Sequence, residues 1–118
     1  MAVVIKSSAS QKQRSMPHSK TSILIVEENE ITRKLLAGIL STRGYNILEA
    51  ADGDAALNFL GKNPHLVILD VDGDNPHIMG FIRKMQMEHS RLPMIAMSDE
   101  NDKTSLKNRL GIADLSVL

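Results

Sequence analysis

Short apolar runs alternate along this chain with amphipathic stretches, and two of the runs end in acidic residues. Residues 23–26 (Ile-Leu-Ile-Val) lead into Glu27 and Glu28, and residues 66–69 (Leu-Val-Ile-Leu) lead into Asp70. Runs of this kind are typical of strands buried on both faces of a parallel sheet. If the two strands are neighbours, three carboxylates meet at one edge, which is tolerable around a cation or a shared proton. This cluster is the first candidate for a functional site.

The alternation predicts five strands separated by four helices. The predicted strands are Ser22–Val26, Asn46–Ala50, Leu66–Asp70, 93–98 and 113–118. The predicted helices are the segment between the cap residue Asn29 and Gly44, residues 54–60, residues 78–89 and Lys103–Leu110. This order indicates an α/β fold with an open, doubly wound, parallel five-stranded sheet and crossover helices on both faces.

Ligands of such sheets bind at the carboxyl ends of the strands, beside the point where the strand order switches. Glu27, Glu28, Asp70 and Ser98 each stand at or just after the end of a predicted strand. We therefore expect these four side chains to lie on the same edge of the sheet.

Length and composition bound the organisation of the chain. Its 118 residues suit a single domain, which we place at residues 21–118 behind a flexible basic segment at residues 1–20. There is no cysteine, so disulfides and thiolate metal sites are excluded. The apolar stretch Ala2–Ile5 is too short for a signal peptide or a membrane span. We expect a cytoplasmic protein that contacts neither membrane nor nucleic acid directly.

From residue 21 to 118, the chain resembles the receiver domain of two-component response regulators. The resemblance depends on the acidic pair in VEEN, the aspartate that closes VILD, the hydroxyl that closes MIAMS, and the GIADL segment near the C-terminus. It implies the flavodoxin-like receiver fold and a signalling role in a phosphorelay, without enzymatic turnover of a substrate.

The resemblance also implies a role for each site residue. Asp70 would accept a phosphoryl group from a histidine kinase or phosphotransfer protein, and Ser98 would contact a phosphoryl oxygen. Glu27, Glu28 and Asp70 would hold Mg²⁺, which offsets the negative charge of the carboxylate and the phosphoryl group. A downstream protein would read the phosphorylated state.

Several positions depart from the family pattern and keep an alternative open. Leu118 falls where the family carries a lysine, so the cation expected beside the phosphoryl group is absent, and Leu115 replaces the aromatic switch residue. Asp72 and Asp74 add further acids after Asp70. The alternative is a degenerate receiver that serves as an interaction or dimerisation module without phosphorylation.

The chain also ends with the fifth predicted strand, where the family continues into a fifth helix. Without that helix an apolar face would be exposed, which monomers rarely tolerate. A second copy of the chain, forming a homodimer, is one candidate to cover it. The segment Ala2–Ile5 is a weaker candidate, because four apolar residues cannot replace the buried area of a helix.

A third interpretation comes from the segment Asp70-Val71-Asp72-Gly73. It is similar to the opening motif of haloacid dehalogenase-type phosphatases, in which the first aspartate is the nucleophile and the second is the general acid. However, the motif lies on the third predicted strand, not on the first, and Asp74 stands where that family has threonine or valine.

Overall fold

The computed structural model describes residues 1–5, 21–72, 76–89, 91–112 and 115–117. In chain order they form β1 (Ala2–Ile5), β2 (Ser22–Val26), α1 (Glu30–Thr42), β3 (Asn46–Ala50), α2 (Gly53–Phe59), β4 (Leu66–Asp70), α3 (Pro76–Glu88), β5 (Met94–Met97), α4 (Lys103–Leu110) and β6 (Leu115–Val117), with a 3₁₀ helix at Leu60–Lys62. The predicted alternation of strands and helices is confirmed from β2 onward. None of the described helices is long and apolar enough to cross a bilayer.

The strands form one sheet in the order β3-β2-β4-β5-β1-β6. β2 pairs in parallel with β3 and β4, and β4 pairs in parallel with β5. β1 is antiparallel to both of its neighbours, β5 and β6, so β6 keeps the direction of the parallel strands. The flavodoxin-like fold is confirmed. The prediction of a parallel sheet with five strands is wrong in one respect, because a sixth, antiparallel strand lies between β5 and β6.

The inserted strand β1 also corrects the predicted domain boundary. Val3 pairs with Ala96 of β5 on one side and with Val117 of β6 on the other, and the Val3 and Ile5 side chains are buried. The first residues therefore belong to the domain and not to a flexible segment. They extend the sheet in its own plane and do not lie over one of its faces. The rest of the predicted flexible segment, residues 6–20, lies outside the described residues.

The sheet buries apolar side chains on both faces, as the continuous apolar runs of β2 and β4 predict. On one face Leu24, Val26 and other strand residues pack with side chains of α2, α3 and α4 into the larger core. On the other face Ile23 and Ile25 pack with Ala37 of α1. Among the described helices, α1 therefore covers the second face, and α2, α3 and α4 cover the first.

Helix α1 begins and ends as predicted, but it presents two apolar stripes. The Asn29 side chain accepts a hydrogen bond from the Thr32 N–H, and Gly44 follows the helix with a φ of 92°. Leu36, Ala37 and Leu40 face the sheet. Large apolar side chains on the other stripe remain in solvent: Ile31 is 81% exposed, Leu35 64% and Ile39 51%. The described residues therefore expose apolar side chains along one stripe of α1.

Candidate functional site

The predicted site residues meet at the carboxyl edge of the parallel strands. Glu27 directly follows β2, Asp70 is the last residue of β4, and Ser98 directly follows β5. The parallel pairing of β2 with β4 and of β4 with β5 brings these strand ends together. A cleft at this edge is lined by four acidic residues and two apolar ones, which are Glu27, Glu28, Asp70, Asp72, Val26 and Ala51.

Glu27 is a buried acidic residue whose charged neighbours in the cleft are also acidic. It is 5% exposed, and its Oε2 accepts a hydrogen bond from the Asn29 N–H at 3.2 Å. Burial is the main cause that raises the pKa of the Glu27 carboxyl, and the hydrogen bond from Asn29 opposes it. The negative charge of Asp70, a hydrogen bond with Asp70 and the charge of Glu28 raise the pKa further, so that it lies above its usual value. Since a nearby cation would favour the carboxylate form, this environment suits a bound metal ion.

The carboxylates assigned to Mg²⁺ share the cleft without forming a compact cage. Glu28 is exposed and Asp70 is half-buried, and the Asp70 Oδ1 accepts a hydrogen bond from the Asp72 N–H at 2.9 Å. Within the described residues, no three acidic or histidine side chains stand close enough together for a preformed metal site. The donor set nevertheless fits Mg²⁺, which takes carboxylate oxygens and keeps several of its waters.

Ser98 reaches the expected edge, but its hydroxyl is directed to Asp72 and not to Asp70. The buried Ser98 Oγ donates to Asp72 Oδ1 at 2.7 Å and accepts from the Glu100 N–H at 3.0 Å. Its backbone is held by the residue that precedes β1, because the Ser98 N–H donates to the Met1 carbonyl at 2.8 Å. The hydroxyl is therefore positioned by contacts on both sides of the sheet edge.

Asp72 is the most fully hydrogen-bonded carboxylate of the site. It accepts from the Ser98 hydroxyl, from the Asp99 N–H, and from Arg109 Nη2 at 2.8 Å. Burial alone would raise the pKa of Asp72, but these hydrogen bonds and the charge of Arg109 outweigh it and hold the pKa below its usual range. A carboxyl held ionised in this way does not suit the general-acid role of the phosphatase interpretation.

Arg109 is a site residue that the sequence analysis missed. From the last turn of α4 its Nη1 donates to the Val71 carbonyl at 2.9 Å, while Nη2 donates to Asp72 and, at 3.0 Å, to Ser98 Oγ. Arg109 therefore supplies a cation beside Asp72, whereas the sequence analysis found no lysine for the place beside the phosphoryl group. Leu118, where the resemblance places the missing lysine, and Asp74 lie outside the described residues.

The chain matches the model of one protein family. The match to the response regulator receiver domain covers residues 23–114. Among curated proteins, the probable transcriptional regulator ycf27 of Porphyridium aerugineum is 34% identical over 88 residues, which are 71% of this chain and 36% of that protein. The two-component response regulator ORR5 of Oryza sativa subsp. japonica is 29% identical over 92 residues, which are 75% of this chain and 69% of that protein.

Solved structures agree with this match at the level of the fold. A response regulator receiver protein of Pseudomonas putida superimposes with a TM-score of 0.66 at 24% identity, over 80% of this chain and 83% of that one. The chemotaxis protein CheY4 of Vibrio cholerae gives a TM-score of 0.67 at 22% identity, over 80% and 82%. The chain spans about a third of ycf27, so that protein's further parts have no counterpart among the matched residues.

Proposed function

This chain belongs to the family of response regulator receiver domains, and we propose that it accepts a phosphoryl group on Asp70 from a histidine kinase or phosphotransfer protein in the cytoplasm. One observation supports the proposal above the others: Glu27, Asp70 and Ser98 lie at the carboxyl ends of three adjacent parallel strands, at one edge of the sheet. The comparisons lend no support to the phosphatase alternative.

The proposed transfer uses the Asp70 carboxylate as the nucleophile. One Asp70 oxygen forms a bond to phosphorus while the bond from phosphorus to the donor's imidazole nitrogen breaks. The leaving imidazole keeps the electron pair and takes up a proton. Asp70 is half-buried at the end of β4, so its carboxylate keeps some contact with solvent, from which the donor would approach.

We propose that Glu27, Glu28 and Asp70 would hold Mg²⁺ in this cleft. When bound, the ion would offset the negative charge of the carboxylate and of the phosphoryl group. Glu27 supports this assignment most strongly, because its buried carboxyl lies beside the carboxylates of Asp70 and Glu28. Glu28 and Asp70 would contribute from the exposed side of the cleft.

Mass spectrometry tests the acceptor assignment. The protein is incubated with Mg²⁺ and acetyl phosphate or phosphoramidate, and peptide mapping locates the added phosphoryl group. We expect one phosphoryl group on Asp70 in the wild type and none in Asp70→Asn. Labelling that persists in Asp70→Asn would refute the proposal. So would a wild type that stays unlabelled and whose amide NMR spectrum does not change when beryllofluoride and Mg²⁺ are added.

A second candidate function, self-association, is favoured by the exposed stripe on α1. Ile31, Leu35 and Ile39 recur every four residues and lie 81%, 64% and 51% in solvent. Side chains at this spacing form one continuous ridge along a helix. Exposed apolar surface of this kind is typical of protein contacts.

We propose a second copy of this chain as the occupant of the α1 stripe. If two α1 helices pack antiparallel about Leu35, Ile31 of each copy lies opposite Ile39 of the other. The same arrangement brings the acidic start of one helix, at Glu30, toward the exposed Arg43 at the end of the other. Opposite charges then meet at both ends, which favours this orientation over the parallel one. Three side chains a copy form a small interface, so we expect a weak dimer.

Sedimentation velocity across a range of concentrations tests the dimer. We expect the wild type to show a concentration-dependent shift toward the dimer, and Leu35→Lys to remain monomeric. Met87→Lys is the matched control, because Met87 is 83% exposed but lies on α3. A wild type that is monomeric at every concentration, or equal losses in the two variants, would exclude this interface.

A further inference from the structure

We propose that the Asp72 carboxylate is an internal ligand that occupies the binding site for phosphoryl oxygens and must leave it before Asp70 can hold a phosphoryl group in that site. This inference depends on the proposed function of Asp70. It assigns Arg109 and the Asp99 N–H to the same oxyanion site as Ser98, with the Asp72 carboxylate as the resident anion.

The geometry is that of a small oxyanion site with an occupant. Asp72 Oδ1 accepts from the Ser98 hydroxyl at 2.7 Å and from Arg109 Nη2 at 2.8 Å, and Asp72 Oδ2 accepts from the Asp99 N–H. A hydroxyl, a guanidinium and a backbone N–H therefore converge on one carboxylate. Donors of these three types are those that bind phosphoryl oxygens in proteins.

The location of this donor set connects it to Asp70. Asp72 follows Asp70 by two residues, its N–H donates to Asp70 Oδ1 at 2.9 Å, and both carboxylates line the same cleft. A phosphoryl group on Asp70 would bring three oxygens that need donors into this cleft. Ser98, Asp99 and Arg109 could donate to these oxygens. In the structure all three donate to the Asp72 carboxylate instead.

Arg109 and Ser98 should keep their positions when the Asp72 carboxylate leaves the site. Arg109 Nη1 is held by the Val71 carbonyl at 2.9 Å, and Ser98 is held by the Glu100 N–H and by its backbone bond to Met1. None of these anchors involves the Asp72 carboxylate. The site should therefore keep its shape when the internal anion is removed, and an external oxyanion of similar charge can enter.

A simple ion pair that ties α4 to the end of β4 makes a different prediction. In that case removal of the Asp72 carboxylate costs stability and creates no affinity for anions. If Asp72 is an internal ligand, its removal increases the affinity for an oxyanion, and that increase requires Arg109. Anion affinity separates the two roles.

The test uses inorganic phosphate as the probe and Asp70→Asn as the background, so that covalent phosphorylation cannot contribute. Phosphate is titrated while the Asp99 and Ser98 amides and the Arg109 side-chain N–H are followed by NMR. We expect Asp70→Asn/Asp72→Ala to bind phosphate at least about tenfold more tightly than Asp70→Asn, with those three signals shifting together. Adding Arg109→Ala should abolish the gain.

Two further variants keep the result interpretable. Asp70→Asn/Asp54→Ala removes one negative charge from an exposed position on α2 and should leave phosphate affinity unchanged. Asp70→Asn/Asp72→Asn keeps the shape of the side chain but not its charge, and it replaces the alanine variant if that one does not fold. A folded Asp72 variant that binds phosphate no better than the Asp54 variant would overturn the inference.

The acceptor reaction gives an independent second readout. With Asp70 present, Asp72→Ala should take up a phosphoryl group from acetyl phosphate faster than the wild type. If phosphate binding increases as expected while neither protein is labelled, the oxyanion site stands and the proposed acceptor role of Asp70 fails. If both are labelled at equal rates and phosphate binding is unchanged, the acceptor role stands and the role of Asp72 fails.

Discussion

At the scale of single residues, the site divides into two halves that differ in how their charges are balanced. Glu27, Glu28 and Asp70 form an acidic half in which burial and like charges raise the pKa of Glu27. Asp72 and Arg109 form the other half, in which each charge has a partner at 2.8 Å. The proposed Mg²⁺ would balance the carboxylates of the first half, whereas in the second half Arg109 already balances Asp72.

The acidic half predicts a pH effect on stability. Because the pKa of Glu27 is higher in the folded protein than in the unfolded chain, the folded protein holds this proton more tightly. The Glu27 contribution to the free energy of unfolding should therefore be largest at low pH and fall as the pH rises from about 4.5 through the raised value. Glu27→Gln should be more stable than the wild type at pH 7 without Mg²⁺, as measured by urea unfolding.

Glu28→Gln is the matched control for this effect, because Glu28 is exposed. It should change stability by less than about 0.5 kcal/mol. The excess stability of Glu27→Gln should shrink at pH 4, where the wild-type carboxyl is protonated too. A Glu27→Gln variant that is less stable than the wild type at both pH values would contradict this prediction. It would show that contacts of the Glu27 carboxylate offset the cost of burying its charge.

Site residues at the ends of strands could be predicted from the sequence, but Arg109, which reaches the site from α4, could not. Glu27, Asp70 and Ser98 stand at strand ends, so the topology alone brings them together. Arg109 lies 37 residues after Asp72, in the last turn of α4, and nothing in its local pattern separates it from Lys107 as a solvent-exposed base. Its role depends on the angle at which α4 returns to the sheet, which spacing does not encode.

At the scale of helices, the packing of α2 against α3 depends on a glycine. A Cβ atom at Gly53 would stand 2.8 Å from the His77 carbonyl oxygen and 3.0 Å from Phe81 Cβ. Gly53→Ala should therefore destabilise the protein by about 1–3 kcal/mol in urea unfolding, although alanine is the better helix former.

Gly80→Ala offers the same substitution in open space. A Cβ at Gly80, in α3, meets no atom within 4 Å, so this variant should be more stable by about 0.5–1 kcal/mol. Opposite signs for the two glycines would confirm the close approach of α2 and α3. Equal effects would mean that the two helices separate easily.

Helix α1 illustrates what periodicity leaves open. Its apolar residues satisfy helical spacing on two stripes at once, and the sequence does not indicate which one faces the sheet. The structure buries Ala37 and leaves Leu35 exposed. The stripe with the smaller side chain Ala37 packs against the sheet, whereas the stripe with Ile31, Leu35 and Ile39 lies in solvent.

At the scale of the whole molecule, the inserted strand β1 changes the order of the sheet. Val3 is fully buried in the larger core, while Val4 is half-buried and faces the other side. Val3→Ala should lower the free energy of unfolding by about 2 kcal/mol, and Val4→Ala by clearly less. Equal and negligible effects would mean that Ala2–Ile5 adds nothing to the fold.

The sequence could not place β1, for a physical reason. Four apolar residues carry too little pattern to distinguish a strand from a loop, and the polar segment that follows separates them from the rest of the domain. Antiparallel insertion also depends on the free edges of β5 and β6, which only the assembled sheet provides. The topology from β2 to β5, by contrast, follows from the alternation of strands and helices.

The position of β1 has a consequence for how the molecule is made. Val3 pairs with Ala96, 93 residues later in the chain, and then with Val117. At synthesis rates of about 5–20 residues per second, β1 waits roughly 5–20 seconds before its first partner strand exists. During that time its apolar residues are open to other strands. Refolding of the complete chain should therefore be slowed by this long-range closure, and β1 should gain protection from hydrogen exchange later than β2 to β5, together with β6, which pairs with it.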